Sequence, residues 1–349
     1  MKTTEKQALS APSGSVLSKI VKNPYLRYCL FGLVIALLPF VPFVPVKVVT
    51  ILGGALIYAV VGLGLNMLLG YSGLISLGTA GFMGLGAYVS GYLTRNMEMP
   101  FLVALVVGLV VACFIGVLVG LVSLRVAGIY LGIATLCVSE ILRKTFEELD
   151  EFTNGFSGFN ADYPTIFGIE LSRTGTFVLL CVVLVLIMML THNLVNGQVG
   201  RAMHAMRGSE VAAQAMGINL LKYRLLVFAI ASAYAALGGV LYMHFVKFAY
   251  PSTWVLMLSL NILAVVVIGG LRSIYGTVIG AFIVYAIPDL LLKEIDFLAK
   301  IDGLPYIFSG VLIILVIMFY PNGVVNLRHD IKRLFRFLTG KSKGGAENE

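Results

Sequence analysis

Charged side chains are scarce in this chain. Asp, Glu, Lys and Arg make up 12% of its 349 residues, whereas hydrophobic residues make up 59%. A soluble globular protein is about one quarter charged, so this chain has too little charge to cover a surface that faces water. We therefore expect an integral membrane protein. The net charge of +8 does not indicate a nucleic-acid partner, because the basic residues lie mainly between and beyond the apolar runs.

Residues that usually form catalytic or metal centres are also few. The four cysteines lie inside apolar runs without C-x-x-C spacing, and the four histidines are scattered. No H-E-x-x-H and no Ser/His/Asp order occurs, so we expect neither an enzyme nor a bound metal or cofactor. The residues concerned are Cys29, Cys113, Cys137, Cys181, His192, His204, His244 and His329.

A phosphate-binding loop is missing as well. The only G-K-S is Gly340-Lys341-Ser342, and the Walker pattern requires glycine where Phe335 stands. If ATP drives this protein, we expect the nucleotide to be bound by another subunit.

Long apolar runs occupy most of the chain. A helix needs about 20 apolar residues to cross a bilayer, and about ten runs approach that length. The sequence therefore predicts an all-α polytopic transmembrane helix bundle. The predicted spans are 28–45, 48–69, 73–94, 101–123, 127–143, 174–193, 225–246, 254–271, 274–292 and 305–320.

The distribution of lysine and arginine predicts the orientation. With the N-terminus inside, 17 of the 25 basic residues fall in cytoplasmic segments, as the positive-inside rule requires. Both termini are then cytoplasmic. We divide the chain into a basic tail (1–27), a transmembrane domain (28–322) and a basic amphipathic tail (323–349) that is attracted to anionic membrane lipid.

Small residues recur where helices are expected to pack. Ala104, Gly108, Ala112, Gly116 and Gly120 form one stripe, which lets another helix approach closely in lipid. The span 73–94 is so rich in glycine that two interpretations stand: a kinked or partly unwound segment that lines a cavity, or close helix packing.

Few polar residues fall within the predicted spans. Glu140 and Asp289 lie near the outer ends of theirs, and Arg143 follows Glu140 by one helical turn. The remaining polar positions are the candidates for a translocation path: Asn66, Ser76, Thr79, Thr135 and Asn261.

Two further features have open interpretations. The acidic connection 145–173 falls outside, where it is either an extracytoplasmic docking surface or a solvated connector.

Segments 63–88 and 258–285 share L-x-L-N-x-L before a glycine-rich span, with Asn66 matching Asn261. They are either an internal repeat or a chance similarity of apolar sequence.

The stretch "GQVGRAMHAMRGSEVAAQAMGIN" (197–219) is polar between two apolar runs. Its pattern predicts one short amphipathic helix with Met203, Met206 and Ala213 on one face, ended by Gly217 at the C′ position. Methionine suits an adaptable contact with a moving partner. The alternative is an ordinary connector resting on the membrane.

This stretch resembles the cytoplasmic coupling segment of bacterial ABC-importer permeases of the branched-chain amino-acid class, M type. Other stretches are similar to motifs of the same family: "LNMLLGYSGLISLGTAGFMGLGAY", "LRVAGIYLGIATLCVSEILR", "VVVIGGLRSIYGTVIGA" and "FYPNGVV". The matches extend from about Asn66 to Val325.

The resemblance implies that a coupling helix near 200–217 docks on a cytoplasmic ATP-binding subunit. The general importer pattern is E-A-A-x-x-x-G, from which this chain departs because Val211 separates Glu210 from the alanines. Arg207 and Glu210 could equally pair with each other. The implied docking residues are Gly200, Arg201, Arg207, Glu210, Ala212, Ala213 and Gly217.

The resemblance further implies an importer permease subunit in a bacterial inner membrane that moves branched-chain or related neutral amino acids by alternating access. Its partners would be a second permease of the H type, ATP-binding subunits that use ATP, and an extracytoplasmic solute-binding protein. Alternatives are the same architecture carrying urea, nucleosides or another small polar solute, a self-sufficient carrier or channel, and a membrane scaffold without transport.

Overall fold

The computed structural model describes residues 23–41, 45–122, 126, 128–166, 168–291, 304–319 and 323–324. Helices dominate this part of the chain, as the apolar runs predict. Most of the predicted tails 1–27 and 323–349 lies outside the described residues, and so does the predicted C-terminal amphipathic helix.

The first half of the bundle consists of α1 (Pro24–Ala36), α2 (Val46–Leu65), α3 (Thr79–Arg95), α4 (Phe101–Val122), α5 (Ile129–Glu148) and the short α6 (Asp150–Thr153). A π-helix at Asn66–Tyr71 prolongs α2. Short 3-10 turns occur at Leu38–Phe40, Gly155–Ser157 and Pro251–Thr253.

The second half consists of α7 (Arg173–Asn196), α8 (Gln198–Gly208), α9 (Glu210–Ala215), α10 (Leu220–Val246), α11 (Leu256–Gly269), α12 (Ile274–Ala281), α13 (Ile287–Leu291) and α14 (Leu304–Phe319). A π-helix at Phe282–Ala286 joins α12 to α13.

Each of the ten predicted spans contains a helix. Among the described helices, five are long and apolar enough to cross a membrane: Val46–Tyr71, Phe101–Val122, Arg173–Asn196, Leu220–Val246 and Pro251–Gly269. Two shorter apolar helical segments, Pro24–Phe40 and Ile274–Leu290, accompany them. The chain is thus an all-α membrane protein, while the count of ten and the orientation stay predictions.

The α10 helix is central, since it packs against α2, α3 and α4. The predicted small-residue stripe on α4 is confirmed, because all five of its members are buried. A Cβ at Gly108 would lie 3.5 Å from Val240 on α10, and a Cβ at Gly120 would lie 3.2 Å from Phe228. The backbones of α4 and α10 come close along this line.

The glycine-rich span contains both of the arrangements considered for it. Residues 73–78 are not helical, and α3 begins only at Thr79. Within α3, a Cβ at Gly86 would overlap the backbone of Ala236 on α10. The span is therefore unwound in its first part and closely packed in its second.

Short strands organise the connection after α5. β1 (Phe159–Asn160) pairs with β4 (Phe248–Ala249), which follows α10, and β2 (Thr165–Ile166) pairs with β3 (Ile169–Glu170). On α5, Arg143 forms ion pairs with both Glu140 and Glu147. The expected proximity of Glu140 and Arg143 is confirmed, and Glu140 is engaged in this structural network.

Candidate docking site and solute path

The docking stretch, defined as residues 197–219, forms two helices. This corrects the prediction of one helix, because α8 ends at Gly208 and α9 begins at Glu210. Ser209 between them has an extended backbone, and its hydroxyl accepts a hydrogen bond from the N–H of Ala212 at 3.3 Å. A serine in this N-cap position starts a new helix.

The predicted apolar face of the docking stretch is confirmed. Met203, Met206 and Ala213 are all buried, which shows that both helices turn this face towards the bundle. The two methionines therefore pack inside this chain, and the interpretation of them as a contact with a partner is wrong.

Gly217 ends α9 in the predicted way. Its φ angle is 82°, a left-handed conformation that glycine adopts without steric cost. The N–H of Ile218 donates to the carbonyl of Ala213 at 3.0 Å, which closes the turn.

The charged side chains of the stretch do not pair with each other. Glu210 forms an ion pair with the buried Arg224 of α10, so the considered Arg207–Glu210 pair is wrong. The helix break at Ser209 removes the helical geometry that would bring the side chains at i and i+3 together. Glu210 instead ties α9 to α10.

Most of the predicted docking residues are accessible. Gly200 and Ala213 are buried in the chain itself, whereas the other five are exposed: Arg201, Arg207, Glu210, Ala212 and Gly217. Sequence reasoning missed Val211 on α9 and Met216 directly after it, which are 79% and 70% exposed. For Val211 the signal was present, because a residue two positions before Ala213 lies on the opposite side of a helix. Met216 is three positions after Ala213, and it is exposed because α9 ends at Ala215.

The docking stretch contacts the end of the π-helix. The ring of His204 lies 5.6 Å from that of Tyr71, edge to face. A Cβ at Gly73 would lie 3.2 Å from the Cγ of Arg207. The α8 helix thus rests on the turn at which the chain leaves α2.

Two predicted path residues are used for structure. The Asn66 side-chain amide donates to Thr277 Oγ1 at 2.7 Å and to the Ser273 carbonyl at 3.3 Å, and its Oδ1 accepts from the N–H of Arg272 at 3.0 Å. Thr135 Oγ1 accepts from the N–H of Leu77 at 2.9 Å and donates to the carbonyl of Gly132. Both side chains therefore hold backbone segments together.

The unwound segment and the start of α3 are supported by neighbouring helices. Ser259 Oγ accepts from the N–H of Ala80 at 3.0 Å, and Ser139 Oγ accepts from that of Gly81 at 2.8 Å. A helix start buried in a bundle needs such partners, since its first N–H groups have none within the helix. Hydroxyls on α5 and α11 thus make the discontinuity in the bundle stable.

Two other predicted path residues, Ser76 and Thr79, line a cavity beside this discontinuity. Its volume is about 20 Å³, room for about one water molecule. Thr79 is 7% exposed. Asn261 lies half-buried on α11 and is not among the lining residues. The cavity is lined by Leu65, Leu68, Ser76, Thr79, Phe82, Phe228, Ala231, Ser232 and Ala235.

An α-helical bundle with several apolar membrane-length helices, an unwound segment inside it and an anchored polar helix pair on its surface is the structure of a multi-pass membrane protein. Residues 47–318 match the family model described as "Branched-chain amino acid transport system / permease component". The chain belongs to this family.

Individual relatives agree with the family match. The chain is 28% identical over 314 residues to the high-affinity branched-chain amino acid transport system permease protein LivM of Escherichia coli (strain K12), covering 83% of this chain and 72% of the relative. The chain is 30% identical over 314 residues to the LivM protein of Salmonella typhimurium (strain LT2), again covering 83% of this chain and 72% of the relative. The probable LivH permease of Methanocaldococcus jannaschii is 29% identical over 215 residues, 59% of this chain and 66% of the relative. No solved structure matches the chain.

Proposed function

We propose that this chain is a transmembrane permease subunit of an ATP-driven importer for branched-chain or related neutral amino acids. The observation that carries the proposal is the docking stretch: an exposed polar helix pair anchored to the bundle by a buried apolar face, in a chain of the permease family. Separate cytoplasmic subunits would bind and hydrolyse the ATP.

Docking of an ATP-binding subunit would use the outer side of α8 and α9. Arg201 and Arg207 supply positive charge there, and Val211 and Met216 supply exposed apolar surface. Exposed apolar groups surrounded by polar ones are typical of a protein interface. The ion pair between Glu210 and the buried Arg224 would make α9 move together with α10.

A movement of the docking stretch can reach the cavity over a short distance. The α8 helix touches Tyr71 and Gly73 at the end of the π-helix, and Leu68 of the same π-helix lines the cavity. Shifting this π-helix would therefore change the cavity wall directly. We propose this as the step that couples ATP hydrolysis to alternating access.

The cavity has the chemistry expected for a neutral or zwitterionic solute. Ser76 and Thr79 offer hydroxyl groups, while Leu65, Phe82 and Phe228 form apolar walls, and no ionisable residue is among its lining residues. An amino acid is larger than the present cavity, so the surrounding helices must separate to admit it. The solute path would follow this opening.

Membership of the family supports the remaining partners of the proposed importer. An H-type permease would complete the membrane part, and an extracytoplasmic solute-binding protein would deliver the solute. With the docking stretch in the cytoplasm, the connection 145–173 faces the other side of the bacterial inner membrane, and both termini are cytoplasmic.

Retention of an ATP-binding subunit tests this function. The tagged chain is purified with its co-expressed ATP-binding subunits, as wild type and as Val211→Glu. We expect the wild type to retain the subunit and Val211→Glu to retain at least about tenfold less, because a charge would be buried in an apolar contact.

The matched control is Ile169→Glu, which places the same charge on an exposed apolar residue of the 145–173 connection and should leave retention unchanged. Leucine uptake that continues without any ATP-binding subunit would overturn the importer function. Uptake of urea or nucleosides that leucine does not compete with would overturn the substrate class.

A further inference from the structure

The loop between α11 and α12 holds one arginine in an unusual backbone conformation. Arg272 has a φ angle of 65°, in the left-handed region that residues other than glycine rarely adopt. Two hydrogen bonds hold it there: its N–H donates to Asn66 Oδ1 at 3.0 Å, and its carbonyl accepts from the Tyr71 hydroxyl at 2.6 Å. Backbone strain of this kind persists only where the surroundings enforce it, and it is concentrated at functional positions.

This conformation places Arg272 close to Arg207 of the docking stretch. Tyr71, which binds the Arg272 carbonyl, also contacts His204, and Arg207 lies over the neighbouring Gly73. The pKa of Arg207 is lowered by partial desolvation and, in addition, by the positive charge of Arg272. Both arginines therefore lie at the turn formed by Tyr71 and Gly73.

Neither arginine has an acidic partner within the described ranges of the chain. Of the salt bridges found there, none includes Arg207 or Arg272, and Glu210, the acidic residue of the docking stretch, is paired with Arg224. Both arginine side chains are exposed. Two positive charges at the same turn create a local positive potential that attracts an anion.

We propose that Arg207 and Arg272 together bind one carboxylate side chain of the ATP-binding subunit. This rests on the proposed function and adds to it a docking residue from a loop 65 positions further along the chain. The planar guanidinium group suits a carboxylate, since it can donate two parallel hydrogen bonds. The arginine pair lies beside the outer side of the docking stretch, where a docked subunit reaches it, and this favours a protein carboxylate over a lipid headgroup.

The second arginine gives the docking contact a direct connection to the bundle. A pull on Arg272 acts on Asn66 and Tyr71 through their hydrogen bonds. These residues are the two ends of the π-helix whose Leu68 lines the cavity. A docked carboxylate would therefore act on α8 and on the cavity wall at once.

Replacement of Arg272 tests the proposal in the complete complex with its co-expressed ATP-binding subunits. Arg272→Asn removes the charge but tolerates the left-handed backbone, whereas Arg272→Lys keeps the charge. We expect Arg272→Asn to weaken binding of the ATP-binding subunit about tenfold and to reduce the dependence of that binding on salt. Arg272→Lys should lie between Arg272→Asn and the wild type.

Lys222→Gln is the control, because it removes another exposed positive charge near the docking stretch and should leave affinity and salt dependence unchanged. An unchanged thermal midpoint for Arg272→Asn, measured on the purified chain, shows that the substitution has not acted through folding.

Wild-type affinity and salt dependence in Arg272→Asn would overturn the proposal while the importer function stands. Loss of co-purifying anionic phospholipid with unchanged subunit affinity would also overturn it, in favour of a lipid contact. A wild-type chain that retains no ATP-binding subunit would overturn the function itself.

Discussion

Hydroxyl side chains near the start of α3 have two different tasks. Thr135 and Ser139 satisfy backbone N–H groups of the unwound segment and of α3. Thr79 lines the cavity, and its hydroxyl makes no hydrogen bond within the described part of the chain. The first kind of hydroxyl stabilises the fold, whereas the second is available to a solute.

This difference predicts opposite effects of two equivalent substitutions. If Thr79 binds the solute as proposed, Thr79→Val removes one hydrogen bond, worth about 1 kcal/mol, and should raise the KM of leucine uptake about fivefold without changing stability. Thr135→Val leaves the N–H of Leu77 unsatisfied and should cost about 1–3 kcal/mol of stability. Uptake assays and thermal unfolding in detergent measure the two effects.

The prediction is contradicted if Thr79→Val lowers the thermal midpoint as much as Thr135→Val does and leaves the KM of leucine uptake at its wild-type value. Ser90→Ala serves as a control for uptake, because Ser90 lies further along α3, bonds only to the carbonyl of Ala87 and is not among the cavity-lining residues.

At the residue scale, the sequence predicts which polar positions lie inside the bundle but not what they do there. Asn66, Ser76, Thr79 and Thr135 are all buried, as expected. The partners of Asn66 are more than 200 positions away along the chain, and the rotation of each helix decides which partner it meets. Composition and spacing carry no information about that rotation.

Among the elements, the docking stretch shows why a helix pattern can hide a break. The 3.6-residue period runs through Ser209, so that Met203, Met206 and Ala213 share a buried face on both sides of it. The N-cap preference of serine was the local signal for the break. Periodicity outweighed it in the prediction because both helices pack on the same bundle surface.

Packing between elements gives a sharper test at α3. Gly86→Ala would place a methyl group against the backbone of Ala236, which cannot move without shifting α10. We expect a lower thermal midpoint and lower uptake. Gly54→Ala on α2 meets nothing within 4 Å and should be neutral or stabilising by about 0.5–1 kcal/mol, since alanine favours a helix.

Measured side by side in detergent, these two alanine variants separate close packing from helix propensity. Equal midpoints for Gly86→Ala and Gly54→Ala would contradict the close approach of α3 and α10. The small-residue stripe on α4 was predictable because its period is regular. The helix that packs against Gly86 was not predictable, because the sequence does not show which of the other helices lies next to it.

On the scale of the whole molecule, three segments that are distant in the sequence meet at one end of the bundle: the π-helix at Asn66–Tyr71, the loop between α11 and α12, and the turn at Gly323. Asn66 binds the backbone of Arg272, and a side chain at Gly323 would overlap the backbone of Gly270. The docking stretch adjoins the same place through Tyr71 and Gly73. The sequence shows these motifs only in order along the chain, and their convergence is a property of the fold. This convergence would let a contact on the docking stretch affect the helices around the cavity, as the proposed coupling step requires.

The orientation of this end of the bundle is the last testable point. In a background where Cys29, Cys113, Cys137 and Cys181 are replaced by alanine, we introduce Val211→Cys on the docking stretch or Glu151→Cys on the connection after α5. Both positions are exposed. Because the positive-inside rule places the docking stretch in the cytoplasm, a membrane-impermeant maleimide should label Glu151→Cys in intact cells and Val211→Cys only after the cells are permeabilised. Labelling of Val211→Cys in intact cells would show that the topology is the reverse of the predicted one. A cytoplasmic ATP-binding subunit could then not reach the docking stretch. The reverse labelling pattern would thus contradict both the orientation and the coupling mechanism that depends on it.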